Sequence, residues 1–197
     1  MSASKVILII LAVIVAGGVL VGGCVYSGYN RAIRLDEATK SAWAQVENQL
    51  QRRYDLVPNL VETVKGVAAQ EEKIYLGVAE ARKAWAGART VDEKALAAGR
   101  MESALARLLM IQEAYPQLRS NESFMKLQDQ LEGTENRLSV ERKRYNDAVQ
   151  GLNTFVRTIT GRIYAGLAGV GKAEYFEIVE AAKAVPKVDF SRKSGGQ

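Results

Sequence analysis

Residues 124–159 read FMKLQDQLEGTENRLSVERKRYNDAVQGLNTFVRTI, and their spacing decides the fold. Through Phe124, Leu127, Leu131, Thr134, Leu138, Glu141, Tyr145, Ala148, Leu152, Phe155 and Ile159 the step alternates three and four residues without a slip. All but Thr134 and Glu141 are apolar. A 3.5-residue repeat held over that distance is a helix seam packed against other helices. With Ser120 or Asn121 as its cap, this helix runs for about 36 residues, or roughly 54 Å. Short partners cannot cover so long a seam, so the preceding helices must also be long and fold back beside it. Thr134 and Glu141 act as polar register-setters there and need partners once buried; an arginine from the corner at 51–62 is one candidate. Gly133 costs about 1 kcal/mol relative to Ala in a helix, so another helix is expected to approach it closely.

Working outward, three more helical stretches precede the seam. The first covers 31–56, with Leu35, Ala38, Ala42, Val46 and Leu50 on one face. Val57-Pro58 is expected to end it, because the residue before proline is driven out of the helical region while proline suits a first helical turn. The second covers 59–85 and carries Leu60, Val64, Val67, Ile74 and Val78. After Gly87, Thr90-Val91-Asp92-Glu93 reads as a capping box that opens a third stretch reaching Tyr115. That stretch carries Leu96, Met101, Leu105, Leu108 and Met110 and stops at Pro116. Long helices joined by short connections predict an all-α chain, an elongated antiparallel up-and-down four-helix bundle. The pattern loosens after Gly161; 173–184 reads as one more short helix and 186–197 as a flexible end. The organisation is therefore an anchor over 1–30, the bundle over 31–171, and a short helix and tail over 172–197.

The anchor rests on VILIILAVIVAGGVLVGGCV, residues 6–25, which carries no charge. Twenty residues at about 1.5 Å each match the roughly 30 Å hydrocarbon core of a bilayer. Tyr26 and Tyr29 follow as an aromatic belt, and Arg31 and Arg34 fall at headgroup depth. A single-pass helix is expected, with membrane lipids as partners along 6–25. Lys5, the short apolar run and Val21-Gly22-Gly23-Cys24 also resemble a bacterial lipoprotein signal, in which Cys24 becomes lipidated. Val21 stands where Leu is usual, and the run fills a whole span, so the uncleaved helix is the simpler reading. The side of the membrane stays open. Arg31, Arg34 and Lys40 lean toward a cytoplasmic bundle by the positive-inside rule, whereas lipidation would place it outside. Gly18 and Gly22 form a GxxxG pair suited to a homo-oligomer.

Composition removes most enzyme classes. In 197 residues there is no histidine and one cysteine, which excludes Ser-His and Cys-His nucleophiles, CxxC sites and internal disulfides. The net charge of +5 is interleaved with acids over all the helices, so no nucleic-acid stripe forms. The sharpest polar cluster is the corner at 51–62: Arg52 and Arg53 close one helix, Asp55 follows, and Asn59 with Glu62 opens the next. Its structural role is a corner tied by Arg52 or Arg53 to Asp55 or Glu62. Its functional role is an arginine patch for a partner's carboxylate or a lipid phosphate. A second cluster holds Glu132, Glu135, Arg137, Arg142, Tyr145 and Asn146. With Glu141 its carboxylates resemble part of a di-metal bundle site, but no ExxH accompanies them, so no metal or other cofactor is expected.

These residues resemble the bacterial LemA family over almost the whole chain after the anchor. The resemblance is carried by Tyr29-Asn30, by residues 42–49 (AWAQVENQ), and by 51–66 (QRRYDLVPNLVETVKG). It continues through 115–118 (YPQL), 131–137 (LEGTENR), 144–146 (RYN) and 186–190 (PKVDF). Where relatives tend to read Arg-Thr-Phe-Pro, this chain has Arg157-Thr158-Ile159-Thr160, so the fourth helix is expected to run past Thr160. The resemblance implies one N-terminal membrane segment, or a lipoprotein signal in some relatives, followed by an antiparallel helical bundle. It implies no enzymatic activity, cofactor or site residue. The expected role is a non-enzymatic scaffold or interaction module for unidentified proteins of the bacterial envelope. The alternative is a module that binds lipid headgroups or remodels membranes, through Arg31, Arg34, Arg52 and Arg53.

Overall fold

The computed structural model describes residues 3–177. They form five α-helices and one 3-10 turn: α1 (Ala3–Lys65), α2 (Glu72–Gly87), α3 (Val91–Ala114), the turn Pro116–Leu118, α4 (Glu122–Arg157) and α5 (Ile159–Ala168). No strand occurs among the described residues. α1 packs mainly on α4, α2 on α3, and α5 on α1. One hydrophobic core joins the four long helices with Phe176.

The expected break at Pro58 does not occur. α1 continues through it to Lys65, 63 residues and about 95 Å in all. Proline costs a helix interior about 3 kcal/mol, yet Tyr54, Val57, Leu60 and Val64 around it are all buried in the core. Packing outweighs the lost hydrogen bond. The chain turns instead at 66–71, where Gly66 and Ala68 donate to the Glu62 and Val64 carbonyls. Asn59 therefore opens no helix.

α3 begins as expected: Thr90 Oγ1 accepts from the Glu93 N–H at 3.2 Å, and the Glu93 carboxylate accepts from the Arg89 and Thr90 N–H groups. Those backbone bonds hold the Glu93 carboxyl below its ordinary range. Its inner face differs from expectation. Ala95, Ala97, Ala98 and Ala104 are buried beside Met101, Leu105 and Leu108, while Leu96 and Met110 face outward. Small residues let α3 lie close to α2.

α4 begins at Asn121, whose side chain accepts from the Phe124 N–H at 3.0 Å. Of the eleven seam positions only Ile159 is exposed. The reason is a second correction: α4 ends at Arg157 and does not run past Thr160. Thr158 adopts an extended backbone (φ −70°, ψ 156°) and caps a new helix by accepting from the Gly161 N–H at 3.1 Å. A Cβ at residue 161 would collide with the Phe155 carbonyl and with Thr158 Oγ1, so glycine is required at this bend. α5 closes with Gly169 in the left-handed region (φ 66°). Residues 171–177 then return alongside α4 without helical structure. The rest of the expected 173–184 helix and the 186–197 tail lie outside the described residues.

Candidate functional site

α1 changes partner along its length. Every residue from 7 to 25 is exposed, and the apolar run is long and apolar enough to cross a membrane, with a mean hydropathy of 2.8 over 18 residues. Ala32 is the first fully buried position, and Val46, Leu50, Val57, Leu60 and Val64 follow it into the core. Where the two regimes meet, α5 lies on α1. A Cβ at Gly28 would collide with the Tyr164 ring, so glycine is what lets α5 dock. Between them is an open groove of about 510 Å³ lined by Val19, Leu20, Gly23, Cys24, Ser27, Gly28, Arg31, Phe155, Thr160 and Tyr164. The Arg31 guanidinium sits over the Phe155 ring at 5.5 Å. Cys24 is free and exposed here.

The seven residues expected at the polar clusters do not converge on one site. Arg53 reaches across to α4 and forms an ion pair with Glu135, and only these two meet. The tie expected to Asp55 or Glu62 is absent: Asp55 instead accepts from Gln51 Nε2 at 2.8 Å. Arg52, Asn59 and Glu62 are exposed along α1, where the Asn59 and Glu62 carbonyls accept from Thr63 Oγ1 and the Gly66 N–H. Arg137 folds back along its own helix, so that a Cβ at Gly133 would lie 3.6 Å from its Nη2; no other helix approaches Gly133 within 4 Å. Thr134, although buried, needs no arginine, since its hydroxyl donates to the Leu131 carbonyl at 2.7 Å. Glu141 accepts from Arg144 at 2.8 Å. Among the described residues no three Asp, Glu or Cys side chains gather as a metal site would require.

Around Arg53 the interior is tight. The space bounded by Leu50, Arg53, Tyr54, Met101, Glu102 and Glu135 holds about 10 Å³, the lower limit for one water. Burial lowers the Arg53 guanidinium from its ordinary range, with Glu102 acting against the shift. Burial also pushes the Tyr54 phenol well above its usual value. Neither the Tyr54 hydroxyl nor Arg53 Nε has a hydrogen-bond partner. The Arg53–Glu135 contact links α1 to α4 here.

Two further interlocks were not foreseen. Lys94 of α3 pairs with Glu47 of α1, its ammonium 5.8 Å from the Trp43 ring and 5.5 Å from the Trp85 ring. Trp85 in turn stacks on Tyr54 at 4.6 Å. At the other end, two asparagines clamp the returning segment to α4. Asn153 donates to the Ala173 carbonyl and accepts from its N–H, both at 2.9 Å; Asn146 treats Phe176 the same way, at 3.2 and 2.9 Å. Seven helical residues rise about 10.5 Å and three extended ones about 10 Å, so the registers coincide. Tyr145 adds a bond to the Glu174 carbonyl at 2.7 Å, and Phe176 packs on Trp43 at 5.5 Å. The signal was a pair of asparagines two helical turns apart on the seam helix.

The chain is 26% identical over 175 residues to magnetosome protein MamQ 2 of Paramagnetospirillum magneticum, and equally to magnetosome protein MamQ 1 of the same organism. Each alignment covers 76% of this chain and 64% of the relative, so the chain spans just under two thirds of the curated relatives it matches. The LemA family model matches residues 42–190, from the middle of α1 to beyond the asparagine-clamped segment, and the chain belongs to the LemA family.

Proposed function

We propose that this LemA-family chain is a non-enzymatic scaffold or protein-interaction module held at a bacterial membrane by one N-terminal span. The observation that carries the reading is the unbroken α1, apolar and unburied over 7–25 and locked into the helical body from Ala32 onward. A rigid rod leaving the lipid presents a long solvated body at fixed height, which suits organising other proteins. An elongated antiparallel four-helix bundle fits the pairing: Arg31, Trp43 and Arg53 on α1 meet Phe155, Tyr145 and Glu135 on α4, so numbers rise on one helix as they fall on the other. The magnetosome names of two relatives are consistent with a membrane address. An uncleaved span is supported by the groove at α5, since Val19, Leu20 and Gly23 would be lost on cleavage before Cys24. Lateral self-association would use Gly18 and Gly22, whose faces are open.

A second reading, lipid-headgroup binding, is favoured by the charges beside the span. Residues 1–35 and 148–173 contain no Asp or Glu, and Arg31, Arg34, Arg157, Arg162 and Lys172 are all exposed there. By the positive-inside rule this collar favours a cytoplasmic body. Arg52 does not belong to it, lying about 30 Å farther along α1 than Arg31, and Arg53 is engaged with Glu135.

Crosslinking in cells, with mass spectrometry of the captured partners and of the mature N-terminus, tests the proposal. Proteins captured reproducibly through α2, α3 or α4 support a scaffold. Capture of lipid alone at the collar favours the second reading, and a mature chain beginning at acylated Cys24 removes the uncleaved span.

A further inference from the structure

α5 is built inside out for a helix in water. Its small residues, Gly161 and Ala165, are buried, whereas Ile159, Ile163 and Leu167 are 88%, 60% and 63% exposed along one face. Burying a large aliphatic side chain is worth about 1.5–3 kcal/mol, so a helix that turns three of them outward and its small residues inward faces something other than water. Small residues at a helix contact with large ones outward is the arrangement of helices in lipid.

Its position says what covers that face. α4 delivers the chain to the level of Arg31, and α5 continues past Gly28 along the apolar run of α1, sharing a groove with Val19, Leu20 and Gly23. Leu20 lies five residues inside the Val25 end of the run, about 7–8 Å in depth. Interfacial helices bury their apolar faces about 5–10 Å into a leaflet. Arg157 precedes α5 and Arg162 lies within it, off the Ile159–Ile163–Leu167 line; both are exposed and no acidic residue occurs from 148 to 173, which suits anionic headgroups beside an apolar face. Gly169 then reverses the chain, and Asn153 pulls Ala173 back onto α4.

From this placement we infer that α5 is a second membrane element, a short re-entrant helix whose Ile159–Ile163–Leu167 face sits in the same leaflet as the bundle-side end of the α1 span. The inference rests on the proposed span and adds to it: the chain grips lipid twice, and the loop between α4 and the returning segment is the second grip. A rod held at two points beside its exit from lipid resists tilting.

Site-directed spin labelling of the full chain tests this. In a Cys24→Ala background, nitroxides are placed singly through Ile163→Cys, Leu167→Cys, Leu20→Cys and Leu96→Cys, and the protein is reconstituted in vesicles of phosphatidylglycerol and phosphatidylethanolamine. All four positions are exposed, so folding is preserved, and the thermal melt of each variant checks it. Positions 163 and 167 are expected to match position 20, with oxygen accessibility severalfold above that of a water-soluble nickel chelate, and position 96 to show the reverse. Water-like values at 163 and 167 with a lipid-like value at 20 would overturn the α5 inference and leave the span standing. Water-like values at 20 as well would overturn the span reading and this inference with it. Exclusion of both reagents at 163 and 167 would mean that protein covers the face, and would also overturn it.

Discussion

The two ends of α1 are made of the same material and meet opposite surroundings. Near the N-terminus, Val13, Val15 and Val19 stand in the open; farther along the same helix, Val46, Val57 and Val64 are fully buried. What distinguishes them is periodicity. From 46 to 64 apolar residues recur every three or four positions with charges between, so only one face needs covering and α3 and α4 cover it. From 6 to 25 the apolar residues go all round, and among the described residues no helix encloses them, 7–25 being exposed throughout. One continuous helix thus carries two apolar patterns, and α5 sits where they change.

The largest expected effect breaks one end while sparing the other. Val46→Asp places a carboxylate in a fully buried site of the core, at a cost of more than about 4 kcal/mol, and should abolish the cooperative melt. Val13→Asp should leave the melt of the body unchanged and weaken membrane insertion by about 3 kcal/mol. Trp43 and Trp85 both lie in the body, so tryptophan fluorescence follows that end alone, and flotation with lipid follows the other. If Val13→Asp lowered the fluorescence melt as much as Val46→Asp, the two ends would not be separate environments.

How much of this was legible follows from the range of each interaction. The seam from Phe124 to Phe155 was legible because periodicity is a local record of burial, and so was the Thr90 capping box. Pro58 misled because a local rule was set against packing that the chain supplies from elsewhere. The correcting signal was present: Val46, Leu50, Tyr54, Val57, Leu60 and Val64 keep their spacing straight across the proline. The absence of proline at Thr160 misled for the opposite reason, since Thr158 and Gly161 form a local cap and bend that end α4 without one. For the corner arginines the sequence offers both near neighbours, Asp55 and Glu62, and the polar seam residues Thr134 and Glu141 of the fourth helix, and it does not choose between them. The partner of Arg53, Glu135, depends on how α1 and α4 slide against each other, which no single helix records. For the asparagine clamp the sequence shows only one half, Asn146 and Asn153 two turns apart, because their partner is a segment with no helical pattern.

The Arg53–Glu135 pair sharpens the comparison, because it puts charge into the buried end of a helix whose other end excludes charge altogether. Side-chain exposure is 13% for Arg53 and 36% for Glu135, so the two truncations should be unequal. Glu135→Leu leaves a desolvated guanidinium whose Nε already lacks a partner, and should cost roughly 3 kcal/mol. Arg53→Leu leaves a carboxylate that reaches solvent, and should cost about 1 kcal/mol less. The double variant should fall well short of the sum, which a thermodynamic cycle from denaturant melts would read. Additive losses would show that the pair does not couple α1 to α4.

The smallest effect in the series is a response to alkali that only the buried end can show. Burial, with Glu174 and Asp92 nearby, pushes the Tyr145 phenol up to about 12, against 10.0 for the free side chain, and burial moves Tyr54 the same way. Between those values the unfolded chain has released the Tyr145 proton and the folded chain still holds it. The unfolded state therefore binds fewer protons, and stability falls as pH rises. The contribution is complete below pH 10 and is lost through about pH 12, a change on the order of 2 kcal/mol for Tyr145. Tyr145→Phe separates this from general alkaline damage. At pH 7 it should cost about 1 kcal/mol, because the Glu174 carbonyl loses its donor, yet above pH 10 its melting temperature should fall less steeply than that of the parent. In lipid vesicles the span has no titrating group between residues 7 and 23, so its helicity should persist at pH 11.5 while tryptophan fluorescence reports the body unfolding. Parallel loss of both signals would mean that the body, and not the bilayer, holds the first third of α1 in place.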